Sequence, residues 1–302
     1  MTEFPLAQLR PLLTRLQDLK RVRTPDSRGS LAGAGFLRAW GQLNAGVSAT
    51  DVALREAARA VAAVELAGID AAVLTDAGLS PTQVEGVYVR AIRAGGASLP
   101  ESVVGGLLQA VPSLVVNSGH PTPPDFHRLA GQPRAGATHP TKPRLMLDPQ
   151  ESHADHCYVV GVSAALLAMT AGVDPAAPFL AGLSHHLHNI WLPDGGFAGE
   201  ELLGEHLQPV MATLTARALE SLTPELATEV RAAFTLLPAP DSPAAQAFHA
   251  ADVLDRVLWM GVYESAATFR LTQAMDDLEL VHPGPTQAFL NDVLAAAGVW
   301  PR

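Results

Sequence analysis

Cysteine is almost absent: the 302-residue chain has one, Cys157. No intramolecular disulfide can form, and a reducing cytoplasm is the expected compartment. Charge is also scarce. Charged residues make up 17% of the chain against 48% hydrophobic, which excludes wholesale disorder and requires a sizeable core. Among the charges, basic residues are the minority, 20 against 30 acidic, for a formal net charge of −10. Such a chain repels polyphosphate backbones at long range, so no nucleic acid polymer is expected as a partner. A small phosphorylated metabolite is compatible, provided a metal or local arginines reverse the sign. A long hydrophobic run is missing too. The most apolar stretch, Cys157 to Val173, is 17 residues, rich in Ala, Gly and Ser, and bounded by His156 and Asp174-Pro175. A membrane span needs about 20 strongly apolar residues, so a buried core helix is expected and no membrane partner. The N-terminal MTEFPLAQLR has no basic stretch followed by an apolar one and does not read as a signal peptide. Nothing here decides oligomeric state, and a homo-oligomer stays open.

Strand-like alternation is likewise scarce, and what is there is helical. Thr50-Asp51 opens an Ala-rich stretch through Leu66. Ser80-Pro81 has the form of an N-cap followed by proline at the first helical position, starting a helix to about Arg93. Thr223-Pro224-Glu225 repeats that signal before a helix to about Phe234, and Leu99-Pro100-Glu101 starts a shorter one. The predicted class is all-α with a bundle-like core. Proline interrupts this pattern once, with eight between Pro112 and Pro149. No helix of useful length is expected there. The chain therefore divides into an N-terminal helical region (1–111), a Pro-rich linker or lid (112–149) and a histidine-bearing region (150–302).

The histidines carry the chemistry. Of 11 in the chain, three fall in SHHLHN, residues 184–189, and His153 and His156 are one helical turn apart. His156 sits near the start of an apolar helix, and His185 and His186 follow the apolar stretch Phe179–Leu183. Asp252 lies in HAADVLDR, with apolar neighbours Val253, Leu254 and Val257. Helical bundles build metal sites from side chains that facing helices project inward, and imidazole with carboxylate suits a divalent transition metal. His156, His185, His186 and Asp252 are the expected ligands. Cys157, heading an apolar run, reads as a buried thiol rather than a nucleophile. Glu200, Glu201, Glu205 and His206 lie at helical spacing and read either as a solvated helix face or as a second shell. Asp255, one turn after Asp252, either orients a ligand or lies on the helix surface.

Set in order, HCYVVGVSAALLA, LAGLSHHLHN and AADVLD resemble the H…HD…D signature of the HD-domain metal-dependent phosphohydrolase superfamily. ESHADHCY (151–158) is similar to the corresponding segment of the 5′-deoxynucleotidase-like branch, and LKRVRT (19–24) to a basic stretch that precedes the metal site there. The resemblance covers about residues 150–260 well, residues 1–28 loosely and 30–148 not at all. It departs at His186, where the family has aspartate, so that the motif is HH and not HD.

The resemblance implies an HD-type helical bundle with an added N-terminal helical region, residues 1–28 packing on the HD core. It implies hydrolysis of a nucleotide or other small phosphomonoester through a metal-activated water. Arg21, Arg23 and His153 are the implied substrate-binding residues, with Lys20 beside them. Asp194, nine positions after His185, is the implied catalytic acid, with His188 beside it as a further catalytic candidate. Asn189 stands where the branch has a glutamate. With imidazole replacing carboxylate, zinc, cobalt, manganese, nickel or iron is expected over magnesium. The alternative is a catalytically silent HD-like module that binds a ligand or regulates a partner, with the HH replacement as its mark.

Overall fold

The computed structural model describes residues 4–23, 29–116, 119–146, 148–264, 270–277 and 279–300. It is all-α apart from one two-stranded antiparallel hairpin among the described residues. In chain order the helices before the hairpin are α1 (Leu6–Leu16), α2 (Leu31–Asn44), α3 (Ala49–Leu66), α4 (Ala71–Asp76), α5 (Pro81–Gly95), α6 (Glu101–Gln109), α7 (Val111–Val115) and α8 (His127–Gly131). The hairpin, β1 (Ala137–His139) and β2 (Lys142–Leu145), leads into α9 (His153–Thr170) and α10 (Ala176–Ser184). The remainder is α11 (Gly196–Leu203), α12 (Leu207–Leu219), α13 (Pro224–Ala233), α14 (Pro243–Glu264) and α15 (Gln287–Ala297).

Helix starts follow local chemistry. Ser80 and Gln83 form a capping box at α5, and the Thr223 hydroxyl accepts from the Leu226 amide at α13. At α3 the cap is Ser48, which accepts from the Asp51 amide at 3.1 Å, so the helix begins at Ala49, ahead of the expected Thr50-Asp51. A serine two residues earlier places its oxygen over that amide, which Thr50, already inside the turn, cannot do.

The Cys157–Val173 run forms most of α9, which is buried from His153 through Ala168. A helix apolar on every face must lie at the centre of a bundle, and α2, α3, α10 and α14 pack around this one. No described helix is long and apolar enough to cross a membrane. One continuous core includes Phe4 of the N-terminal stretch, Trp40 of α2, Phe126 of the Pro-rich stretch, Val160 of α9 and Leu294 of α15. Residues 4–23 pack on the second half of the chain, α1 against α14 and α15 and the single turn Gln17–Lys20 against α9 and α14. Thr24 of LKRVRT lies outside the described residues.

Close approach of α9 and α10 sets the spacing of the histidines they carry. A Cβ on Gly182 would fall 2.5 Å from the Cα of Gly161, so the two backbones touch through paired glycines. Gly182→Ala forces the helices apart. The expected cost is about 1–3 kcal/mol, as for overpacking generally, read as a lower midpoint in urea unfolding. An unchanged midpoint would contradict this account of the contact.

Candidate metal centre

Capping places the first histidine pair. The Ser152 hydroxyl accepts from the Asp155 amide at 3.1 Å, and the Asp155 carboxylate accepts from the Ser152 amide at 2.8 Å. This box lies inside ESHADHCY and starts α9 there, so His153 and His156 both fall in its first turns, and both are fully buried. The second group sits where α10 ends: His185 caps it, His186 follows, and His188 and Asn189 lie on a 3₁₀ turn, Leu187–Ile190. The third group, Asp252, Asp255 and Arg256, lies on α14.

Hydrogen bonds decide which ring nitrogen of each histidine is free. His156 donates from Nδ1 to Asp255 at 2.7 Å. Asp255 is ionised, its pKa held down to about 2 by Lys20 and His156 against the opposing effect of burial. His185 Nδ1 lies 2.8 Å from the carbonyl oxygen of Gly182, which can only accept. The side-chain NH₂ of Asn189 donates to the Leu192 carbonyl, so its oxygen faces His186 Nδ1 at 3.0 Å and accepts there. In all three histidines Nδ1 therefore carries a proton, and Nε2 carries a lone pair wherever the ring is neutral.

Those lone pairs converge. His156 Nε2 is 3.1 Å from His185 Nε2 and 3.4 Å from Asp252 Oδ1, and His185 Nε2 is 3.9 Å from the same oxygen. Ligands on a tetrahedral ion with bonds of about 2.0–2.2 Å stand about 3.3–3.6 Å apart, and the triangle fits such an ion. His186 stands beside them, its ligand atom within 4.8 Å of those of His156 and His185. His156, His185 and Asp252 are thus brought together, and His186 lies beside the other two histidines. Burial drives the pKa of His185 down to about 3 and that of His186 well below its usual value, so both are neutral, as ligands must be.

Around this centre the other expected residues divide. His153 is close: its ring centre is 4.9 Å from that of His186, and its Nε2 is 3.5 Å from Asp194 Oδ2. Both His153 ring nitrogens are buried without a hydrogen-bond partner. Asp194 is held by the amides of Ala135 and Gly196, each at 2.8 Å. His188 is buried, its ring 5.7 Å from that of His186, with a pKa lowered to about 4 by desolvation. Arg21 and Arg23 have exposed side chains with other partners, Asp18 and the Lys20 carbonyl, and make no contact with the histidine cluster among the described residues. Lys20 is the member of LKRVRT that reaches the centre. It is fully buried, 2.8 Å from both Asp255 and Glu151, and so serves as a counter-ion beneath the histidines rather than as a phosphate contact. Glu200, Glu201, Glu205 and His206 are exposed, and Cys157 is fully buried, its thiol pKa pushed far up by burial.

Two cations went unnoticed in the sequence. Arg256 binds the second oxygen of Asp252 at 3.2 Å, and its Nε is buried without a partner. Arg134 lies 3.6 Å from Glu151, and its Nη1 is likewise buried and unpartnered. The two line a narrow cleft with Gln150, Glu151 and Trp259. Spacing from Asp252 (i, i+4) was the available signal for Arg256, while Arg134 had none. The Pro-rich segment forms a wall here: Gln132 donates to the Leu192 carbonyl, and the Arg134 amide to the Glu151 carbonyl.

Compared with known protein families, curated proteins and solved structures, the chain finds no match.

Two outcomes follow from the electrostatics. Lys20→Met leaves the buried Asp255 without its cation, at an expected cost of about 3–5 kcal/mol in urea unfolding; a loss below about 1 kcal/mol would show that the pair is not structural. The second concerns acid. His153, His185, His186 and His188 all have lowered pKa values in the fold. Below about 6.5 the unfolded chain therefore binds more protons than the folded one, and stability, complete above that pH, drains as pH falls toward 4. For chelator-treated protein the slope should exceed about 1.4 kcal/mol per pH unit, the value for one proton; flat stability between pH 7 and 5 would contradict it.

Proposed function

We propose that this protein is a divalent-metal-dependent phosphohydrolase acting on a nucleotide or another small phosphomonoester, with His156, His185, His186 and Asp252 as metal ligands. The observation that carries the metal is the convergence of Nε2 lone pairs of His156 and His185 on one carboxylate oxygen, each ring locked by a bond at Nδ1. Lone pairs facing each other repel unless a proton or a metal cation lies between them, and the nearby Asp252 oxygen completes a site for a metal. The likeness of the ordered histidine and aspartate motifs to HD-domain phosphohydrolases supports the reaction class. The His186 replacement fits as well, because Asn189 orients it as a ligand would need.

A divalent ion held there supplies Lewis acidity and acidifies water. The chain supplies the rest. Arg134 and Arg256 offer buried, unpartnered N–H groups to an anionic ester, as charge-assisted donors. Asp194, fixed by two backbone amides, faces His153, which is neutral and has no other partner. This pair is placed to take up and pass a proton. His188 extends the neutral imidazole row beyond His186. Three neutral imidazoles and one carboxylate leave a divalent ion with one net positive charge, which favours a phosphate dianion and disfavours magnesium, an oxygen-seeking ion.

Metal analysis of the purified protein followed by a phosphomonoester screen with added Mn²⁺, Co²⁺, Ni²⁺, Zn²⁺ or Mg²⁺ tests this. The expected result is retained transition metal, phosphate release with a subset of esters, and little stimulation by Mg²⁺. His186→Ala and Asn189→Leu should both weaken metal retention, and Asp194→Asn should cut turnover about 10²–10⁴-fold, the range of acid–base catalysis, without loss of metal. Full metal content and unchanged preference in His186→Ala would remove His186 from the ligand set. Metal retention with no ester hydrolysed would leave the silent binding module as the better reading.

A further inference from the structure

A second cluster of charge lies on the far side of α9 from α14. Arg38 pairs with the fully buried Glu56 through two bonds, at 2.9 and 2.6 Å. Gln42 and the Tyr158 hydroxyl donate to the same carboxylate at 2.9 and 3.0 Å. Glu56 is therefore saturated, and one cation neutralises it. Arg59, one turn further along α3, is a second cation in the same place. Its Nε is buried and has no hydrogen-bond partner, and no carboxylate pairs with it among the described residues. Burial and the neighbouring Arg38 lower its pKa, and Glu56 partly opposes them. The buried Nε–H lacks an acceptor that an anionic group in the adjoining cavity could supply.

Beside it is a cavity of 260 Å³. Its polar lining is Arg38, Arg59, Asp70 and the two tyrosines Tyr88 and Tyr158, with Asp70 accepting from the Val73 amide at 3.0 Å; its walls include Ala60, Ala63, Leu66 and Leu19. The exposed side chain of Ile69 stands at the rim. The volume exceeds what an inorganic ion needs, and the walls are apolar. With Asp70 and Glu56 nearby, the lining carries little net positive charge, so one guanidinium without a directly paired carboxylate matches a monoanion better than a phosphate dianion, and its planar fork matches a carboxylate. We propose that this cavity binds a small organic monocarboxylate with an apolar body, its carboxylate on Arg59. The site is independent of the metal-centre reading, but it adjoins it: Tyr158 is two residues from His156 on α9, and Leu19 precedes Lys20, the counter-ion of Asp255. An occupant touches both elements that hold His156 in place.

Isothermal titration of the full chain with hexanoate, hexanamide and inorganic phosphate tests the proposal, in wild type, Arg59→Gln and Ala63→Leu, with circular dichroism to confirm folding. The expected result is saturable hexanoate binding to wild type, weakened at least ten-fold by Arg59→Gln, and no binding of hexanamide or phosphate at the same concentrations. Ala63→Leu fills the apolar wall without touching charge and should also weaken hexanoate, which keeps the test intact if Arg59→Gln does not fold. Equal hexanoate affinity in wild type and either folded variant, absence of saturable binding, or phosphate binding as well as hexanoate would each overturn it.

Discussion

A single buried chain of charge, Lys20 to Asp255 to His156, ties the structure together. It links the N-terminal turn, α14 and α9, three segments far apart in sequence, through contacts of 2.8 and 2.7 Å. Lys20 and Asp255 have no access to solvent at their side chains. Desolvating both is expensive, and the fold tolerates it because Glu151 and Gln17 complete the hydrogen bonding of the pair. The consequence is directional. With Asp255 ionised at His156 Nδ1, that ring is oriented so that Nε2 points to the bundle centre, where a neutral ring presents a lone pair.

The same logic recurs at each ligand, with different means. A free carbonyl at the end of α10 fixes His185, since the last helical turn leaves such acceptors unpaired. An amide side chain, itself fixed by the Leu192 carbonyl, fixes His186. Arg256 takes one oxygen of Asp252 and turns the other toward the histidines. Asn189, which reads from motif comparison as the loss of an acid, acts here as the group that aims His186. The surroundings of the HH pair thus fix the orientation of both rings, and it differs from an HD pair by one unit of charge.

Much of this was legible in order along the chain. All-α class, the starts of α5, α6 and α13, and the burial of the Cys157–Val173 run all follow from local signals: caps, proline at the first turn, and apolar periodicity act within a few residues. The inward placement of His156, His185 and Asp252 was legible too, because each lies beside an apolar helical stretch that must face the core. The α3 cap falls two residues earlier than Thr50, at Ser48, and the hairpin in the Pro-rich stretch was unforeseen, its pairing depending on a turn between two short, mostly polar segments.

What the sequence by itself determined is therefore the helical class and the presence of histidines and an aspartate on inward faces, since both depend on spacing of about one helical turn. The tertiary structure alone decided the partners. Lys20 was grouped with Arg21 and Arg23 as one basic motif, yet Lys20 is buried against Asp255 while the arginines lie outside. Arg134 entered the site from a loop with no signature. Which nitrogen of each histidine is free depends on an acceptor 3 to 99 residues away. Such pairings arise from desolvation: a buried charge or ring nitrogen takes whichever partner packing brings within about 3 Å, and packing is a property of the assembled helices.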